Sequence, residues 1–392
     1  MRDKALEIFN AGVAAADPYK AVTVNLQDIE PPALIIAVGK AARLMAKAAL
    51  DRFANTPCII VTNYENATDL VGATVYAAGH PVPDENGATA ARAVIAALQK
   101  ATGPVLALIS GGGSALLPAP AGKLTLADKA AVNEILLRSG LEITAMNLIR
   151  QQLSELKGGG FLRLAAPQPV TALILSDVIG DDLASIASGP TVGPIGTAEE
   201  AITLLKGAHV WDQMPVVVKD HLQAAAPQDP LPPARNILVG SNEISVAAMA
   251  AAAGDAHVIP VPVEGDVVQA AKLICDNAGI GITVWGGETT VVLHGDGRGG
   301  RNQELSLLIA QEAQARGWTE WLCLQGGSDG RDGPTDAAGG IVDQETLGKI
   351  PNLEALLANN DSYAALALAG NLLMTDATGT NVADLGVMIR RG

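Results

Sequence analysis

Aromatic side chains are scarce: Phe, Trp and Tyr together make up 3% of the chain. A core must therefore be built from Ala, Val, Leu and Ile, and rows of aromatic platforms for stacking nucleic-acid bases are excluded. Cations are also in short supply. Lys and Arg number 26 against 41 Asp and Glu, a net charge of -15, so the cationic patches that DNA, RNA or an anionic membrane require are missing. The three cysteines, Cys58, Cys275 and Cys323, are far apart and without CxxC spacing, which excludes a disulfide framework and fits small buried thiols in a reducing compartment. No hydrophobic run approaches the roughly 18 residues of a membrane span. The first twenty residues carry Arg2, Asp3, Lys4 and Glu7 among apolar ones and lack a signal-peptide core. The expectation is a cytoplasmic protein with neither nucleic acid nor membrane as partner.

Apolar material is plentiful, 49% of 392 residues, enough for two cores at a soft prior of roughly 150 residues per domain. Short apolar runs over 33–39, 58–62, 74–78, 105–109 and 170–175 alternate with helical stretches over 40–53, 86–100, 126–138 and 144–156, the rhythm of a parallel α/β sheet. Two poorer helical stretches follow Pro194. The proline-dense 226–233 suits an exposed connection, so the domains are placed at 1–230 and 236–392. The second series has strands over 236–239, 258–261, 282–285, 289–293 and 321–325, with helices over 243–253, 266–278 and 302–315. The pair around Gly286-Gly287-Glu288 has the spacing of a hairpin, which would make this sheet mixed.

Glycines gather where predicted strands end, the place where open α/β sheets hold ligands. In Ser110-Gly111-Gly112-Gly113-Ser114, missing Cβ atoms let backbone N–H groups converge on a phosphate or carboxylate while the serines add hydroxyls. Lys40 follows the first strand, at the start of a helix, where a cation opposes the dipole unless an anion is near. Lys157, before three glycines, has the ordinary pattern of a helix stop. Asp177 follows the strand over 170–175 and is a suitable oxygen ligand for Mg²⁺, whereas Asp181 and Asp182 fit a solvated turn. Ser188-Gly189-Pro190-Thr191 reads as an anion-contacting turn or as a plain Gly-Pro turn. Gly295-Asp296-Gly297-Arg298-Gly299-Gly300 matches the dinucleotide pattern literally, but Arg301-Asn302-Gln303-Glu304 stands where that helix packs small apolar residues. It reads better as a glycine hinge bringing Arg298 and Arg301 to an anion, Arg301 foremost. The loop from Gly326 through Asp329, Arg331 and Asp332 to Asp336 has the composition of a ligand loop, and Asp376 to Asn381 reads as its neighbour or as a hairpin turn.

No Walker A motif, HExxH or nucleophile elbow is present. Several anion-holding turns with Lys, Arg and Asp, but no covalent nucleophile, are what phosphoryl transfer asks for. An acidic chain repels a triphosphate at long range, so such a site must be locally cationic or bridged by metal.

Together, Val38-Gly39-Lys40, the Gly79-to-Asp84 segment, the 110–114 turn, Leu156-Lys157-Gly158-Gly159, Ser176-Asp177, the Ser188-to-Thr191 turn, Gly286-Gly287-Glu288, Gly299-to-Glu304 and Asp329-to-Asp336, in that order, resemble the glycerate 2-kinase family over nearly the whole chain. The match departs at Gln151-Gln152, where the resemblance leads one to expect a basic residue and a histidine in many relatives. The resemblance implies a Rossmann-like large domain, a smaller α/β C-terminal domain and an active site in the cleft between them. It implies ATP and Mg²⁺ as cofactors, D-glycerate as acceptor and 2-phosphoglycerate as product. Lys40, Arg301 and Asp177 are the expected catalytic residues, with Asp177 on the metal. Ser110, Gly111, Gly112, Gly113, Ser114, Lys157, Ser188, Gly189 and Thr191 are expected on the nucleotide, and Lys40, Glu288, Arg301, Asn302, Asp329 and Asp336 on the substrate. A homodimer is compatible with the sequence. The competing readings are an NAD(P)H-dependent hydroxypyruvate reductase, a name also given to relatives, and a non-catalytic nucleotide or hydroxy-acid sensor.

Overall fold

The computed structural model describes residues 1–225 and 230–392. The chain forms two compact units. One comprises Pro18–Leu175 and Asp181–Val239; the other comprises Met1–Asp17, Ser176–Gly180 and Gly240–Gly392. The change of unit at Val239 and Gly240 falls close to the expected boundary, but the first helix, Arg2–Ala15, and the Asp177 turn group with the C-terminal residues. Part of the proline-rich connection, 226–229, lies outside the described residues; Pro230 and Pro233 are exposed.

The first unit contains strands β1 (Leu34–Val38), β2 (Cys58–Asn63), β3 (Ala73–Ala78), β4 (Val105–Ile109), β5 (Val170–Leu175) and β6 (Ala234–Gly240), in the spatial order 3-2-1-4-5-6. Pairings from β3 through β5 are parallel, and the order is that of a doubly wound sheet. β1 and β4 are continuous buried runs, Leu-Ile-Ile-Ala-Val and Val-Leu-Ala-Leu-Ile, because helices cover both faces of a parallel sheet. A helical cluster built on Leu126–Arg138, Ile143–Gln152, Ala198–Gly207 and Val216–Gln223 has its own apolar core around Val132, Leu136, Ile149, Leu205 and Val218. Reciprocal capping boxes, Thr125 with Asp128 and Thr197 with Glu200, fix the starts of two of these helices.

The second unit contains β7 (Ala256–Val258), β8 (Val263–Asp266), β9 (Gly281–Thr290), β10 (Trp321–Gly327), β11 (Gly339–Asp343), β12 (Leu372–Leu373) and β13 (Asp384–Arg390). The order is 12-11-10-13-9-7, with β8 also on β9. The sheet is mixed, as expected, but not through a hairpin at Gly286-Gly287-Glu288. Those residues continue one ten-residue strand, β9, whose glycines let Asn242 and the Val263 backbone approach too closely for a Cβ; the antiparallel partner of β9 is β13. Strand alternation divides two cores. Trp285, Cys323, Val342 and Met388 face helices Val267–Asn277 and Arg301–Ala315, while Val284, Leu324, Ile341 and Val387 face Ala5, Ile8, Phe9 and Met249. All three cysteines are free and buried, and burial raises the thiol pKa of Cys58 and of Cys275 to about 12. No helix among the described residues is long and apolar enough to cross a membrane.

Candidate active site

In the first sheet the strand order reverses between the neighbours β1 and β4. Connections leaving such a pair run to opposite faces and open a crevice beyond the carboxyl ends of the strands. Gly39-Lys40 ends β1 there and the 110–114 turn ends β4. They are joined directly: the Lys40 N–H donates to the Gly111 carbonyl at 2.9 Å. The Ser110 hydroxyl accepts from the Ala41 N–H at 3.1 Å and commits its proton to the Val38 carbonyl at 3.3 Å. Ser110 therefore acts as a clasp between β1 and β4. Gly112 has φ +84, and a Cβ on it would lie 3.1 Å from the His80 ring and 3.3 Å from Lys40 Cγ. Burial, and then the Lys40 charge, hold the His80 imidazole below its ordinary pKa.

The remaining anion-holding motifs of this unit converge on Ser114. Lys157 Nζ donates to Ser114 Oγ at 2.7 Å, and Ser114 Oγ lies 2.9 Å from Ser188 Oγ. The Gly158 and Gly159 N–H groups donate to the Ser188 and Gly189 carbonyls, so the two turns are laced together. Lys157 is no simple helix stop: it is 8% exposed, and burial, then the nearby Arg150, lower its pKa to about 7. Thr191 serves the scaffold, its hydroxyl donating to Asn236 Oδ1 at 2.7 Å. Gln151 and Gln152 do likewise. Gln151 grips the Ala184, Ser188 and Ile195 backbone, and Gln152 donates to Gly196 O and receives His221 on its own carbonyl.

Two cations not singled out by the motifs stand beside Lys157. Lys129 Nζ donates to the Pro118 and Leu153 carbonyls at 2.6 and 3.1 Å, and Arg150 donates to Asn133 and Asn147 at 2.5 and 3.2 Å. Desolvation first, then Lys157, pushes Lys129 well below the ordinary lysine value. Lys129, Arg150, Lys157, Ser114, Gly112 and His80 all line one cavity of about 510 Å³. The sequence carried one signal for Lys129. It shares a helical face with Val132 and Leu136, three and seven residues on, and both of those are core.

In the other unit, Arg301 begins the helix Arg301–Ala315. Its Nε and Nη2 donate to the two oxygens of Asp384 at 2.7 and 3.1 Å, and Nη1 pairs with Glu288 at 2.9 Å. Desolvation opposes its charge, but Asp384 and Glu288 outweigh it and raise its pKa further. Asn302 is fully buried and bonded to Asp332, Asp384 and Gln325, so it braces this network and offers no free group to a substrate. Asp332 accepts the N–H groups of Asn302 and Gln303, capping the helix, while burial raises its carboxyl pKa to about 6. Asp384 escaped the motif reading because it lies between Ala383 and Leu385 in a run with no chemical pattern of its own; Asp332 sits inside the 329–336 motif, which gives no sign that it caps a helix some thirty residues earlier. Asp329 accepts the Arg331 N–H at 2.9 Å, and Asp336 accepts from the Tyr363 hydroxyl at 2.8 Å.

The 295–300 segment is a tied loop and not a hinge. The side chains of Asn359, Asn360 and Asp361 accept its N–H groups, and Gly300 permits the Asp332 carboxylate to come within 2.6 Å of where a Cβ would stand. Arg298 lies over the Tyr363 ring. The segment around Thr378 is no hairpin turn; the Thr378 hydroxyl donates to Ser328 O and its N–H to Asp329 O, which joins it to the Asp329 loop. Asp177 follows Ser176, whose hydroxyl closes the turn onto Val178. Asp182 accepts from Ala184 N and Ser185 Oγ, the turn role expected of it.

Residues 4–223 match a family described as a domain of unknown function, DUF4147, and residues 281–384 match the MOFRL family. Glycerate 2-kinase of Pyrococcus horikoshii is 35% identical, over 99% of this chain and 97% of its own. The chain belongs to the glycerate 2-kinase family. The crystal structure of glycerate kinase from Thermotoga maritima superimposes with a TM-score of 0.93 at 34% identity, covering 99% of each chain. An Agrobacterium vitis protein bearing a provisional hydroxypyruvate reductase name is 37% identical over 97% of this chain and 93% of its own.

Proposed function

We infer that this chain is a glycerate kinase. It moves the γ-phosphoryl group of ATP to the C2 hydroxyl of D-glycerate, giving 2-phosphoglycerate and ADP. The observation that carries the reading is the cationic crevice at the β1–β4 reversal, built into a protein whose net charge is -15. An acidic chain concentrates Lys40, Lys129, Arg150 and Lys157 around a glycine turn only where an anion must be held.

In the transfer the substrate hydroxyl oxygen bonds to the γ-phosphorus, the bond from that phosphorus to the β–γ bridging oxygen breaks, and the hydroxyl proton leaves. Positioning and charge neutralisation do most of this work. Lys40 supplies charge to the moving phosphoryl group. Lys157, Ser114 and Ser188 hold nucleotide oxygens. Arg301 takes the glycerate carboxylate through the N–H groups that Asp384 and Glu288 leave over, with Asp329 and Asp336 shaping the acid's surroundings. Asp177 accepts the hydroxyl proton or holds Mg²⁺. Among the described residues no three acid, His or Cys side chains are grouped to hold a metal. A Mg²⁺ carried largely on phosphate oxygens would need only one or two carboxylates, and Asp177 would supply one. When bound, the ion neutralises phosphate charge.

The test is direct. Glycerate-dependent release of ADP, with phosphorus NMR placing the new phosphate on C2, supports the reading. Hydroxypyruvate-dependent loss of NADH absorbance without ADP formation overturns it in favour of a reductase, and binding of ATP and glycerate without turnover does so in favour of a sensor.

A further inference from the structure

The cavity beside Ser114 is larger and more cationic than a phosphate-holding turn needs. Lys129, Arg150 and Lys157 all line it, and among the described residues none of the three is in an ion pair: their partners are carbonyls, amides and a hydroxyl. The one acid on its lining, Glu134, faces Arg138 at 3.6 Å. Lys157 is buried and Lys129 and Arg150 are part-buried, and cations drawn out of water but held only by neutral groups are costly unless an anion completes them. Each pays through desolvation, which lowers the pKa of all three. Part of the remaining lining is different in kind: Val82, Leu126 and Ala130 are apolar, and Val82 is 74% exposed. A space of about 510 Å³ is in the range of a whole small-molecule site, roughly 300 to 1,000 Å³, and a three-carbon acid would leave most of it empty.

We propose that this one unit holds the entire nucleotide: Lys129, Arg150 and Lys157 take the polyphosphate of ADP or ATP, and the wall of Val82, Leu126 and Ala130 takes the base. The inference rests on the kinase reading, since only a phosphoryl transfer from a nucleotide calls for such a seat. Lys129 and Arg150 thereby become ligand-binding residues that no motif announces. With Lys157 bonded to Ser114, the phosphates lie toward Ser114.

Calorimetric titration with ADP, and separately with inorganic tripolyphosphate, in the absence of glycerate tests the placement. Lys129→Met and Arg150→Met are expected to weaken both ligands by about tenfold or more, the value of a charge-assisted hydrogen bond. Ala130 is exposed, so Ala130→Trp can fill the apolar end without disturbing the core. It is expected to weaken ADP about tenfold, as lost apolar burial does, and to leave tripolyphosphate unchanged. Should Arg150→Met fail to fold, Arg150→Gln serves in its place. Wild-type protein with no affinity for ADP would overturn the kinase reading and this placement together. Wild-type affinity for ADP that survives both charge removals, or that is indifferent to Ala130→Trp, overturns the placement alone, as does loss of glycerate affinity with ADP affinity intact.

Discussion

Arg301 and Asp384 form a two-pronged ion pair, Nε and Nη2 on the two carboxylate oxygens at 2.7 and 3.1 Å, with Asp384 buried at the start of β13 and Arg301 part-exposed. The planar guanidinium is thus locked in one orientation from behind, and its charge is shared with Glu288 on the open side. An arginine so fixed approaches a carboxylate without having to be ordered on binding.

The two acids differ in what their loss should do. Asp384→Ala leaves Arg301 and Asn302 without their buried partner and is expected to lower stability by about 3 kcal/mol. Glu288→Ala removes an exposed partner and should change it by less than about 1 kcal/mol. Urea denaturation of the two variants checks the contrast, and equal effects would contradict the picture of one buried and one exposed prong. Arg301→Lys, which keeps the charge but not the fork, should raise KM for glycerate.

Lys40 contributes only its backbone to the β1–β4 clasp. Lys40→Ala is therefore expected to fold normally and to lose about 10²- to 10³-fold in kcat/KM, as removal of one preorganised charge contact does. Circular dichroism and steady-state kinetics suffice, and near wild-type turnover would remove Lys40 from the reaction.

Lys157 predicts a particular pH dependence. Its pKa is about 7 in the folded protein against an ordinary value of about 10.4 in the unfolded chain. Between those values the unfolded state binds more protons, so this group's penalty is complete below about pH 7 and fades as pH rises toward 10. Its charged surroundings are Arg150 and Lys129, with Glu134, Glu155 and Arg163 on the walls of the cavities it lines. Ligand-free Lys157→Met should therefore lack part of the wild type's gain in urea midpoint between pH 7 and 9. An anion at Lys157 restores its charge, so ADP affinity should fall above about pH 7 with uptake of a proton, visible as a binding heat that depends on the buffer.

Gly112 and Gly140 separate strain from site. Both have positive φ, +84 and +73, but a Cβ on Gly140 meets nothing within 4 Å while one on Gly112 meets His80 and Lys40. Each Gly→Ala change should cost about 1 to 2 kcal/mol of stability from backbone strain. Only Gly112→Ala should also reduce kcat/KM, because Lys40 or His80 must move. Comparable activity in the two variants would argue that the 110–114 turn is purely structural.

The continuous apolar strands of the first sheet, the glycine turns at their ends and the order of the motifs were all legible, because a buried parallel strand and a tight turn are each coded by adjacent residues. Capping residues fixed helix starts as local chemistry does. Gly286-Gly287 misled because a glycine pair reads as a turn, whereas here it is required for close approach by Val263 and Asn242 in mid-strand. The clasp made by Ser110 was not legible for a related reason: its hydroxyl bonds Val38 and Ala41, some seventy residues earlier.

The amino-acid sequence by itself determined the class of fold, the family and the two strand ends that carry Lys40 and the 110–114 turn, since each rests on short-range pattern. Only the tertiary structure decided that helix Arg2–Ala15 packs with the C-terminal residues, that Arg301 is held by Asp384, and that Lys129, Arg150 and Lys157 share one cavity. Those relations join residues from about seven to more than two hundred positions apart, and burial, charge and desolvation act through space, where no spacing rule along the chain can express them.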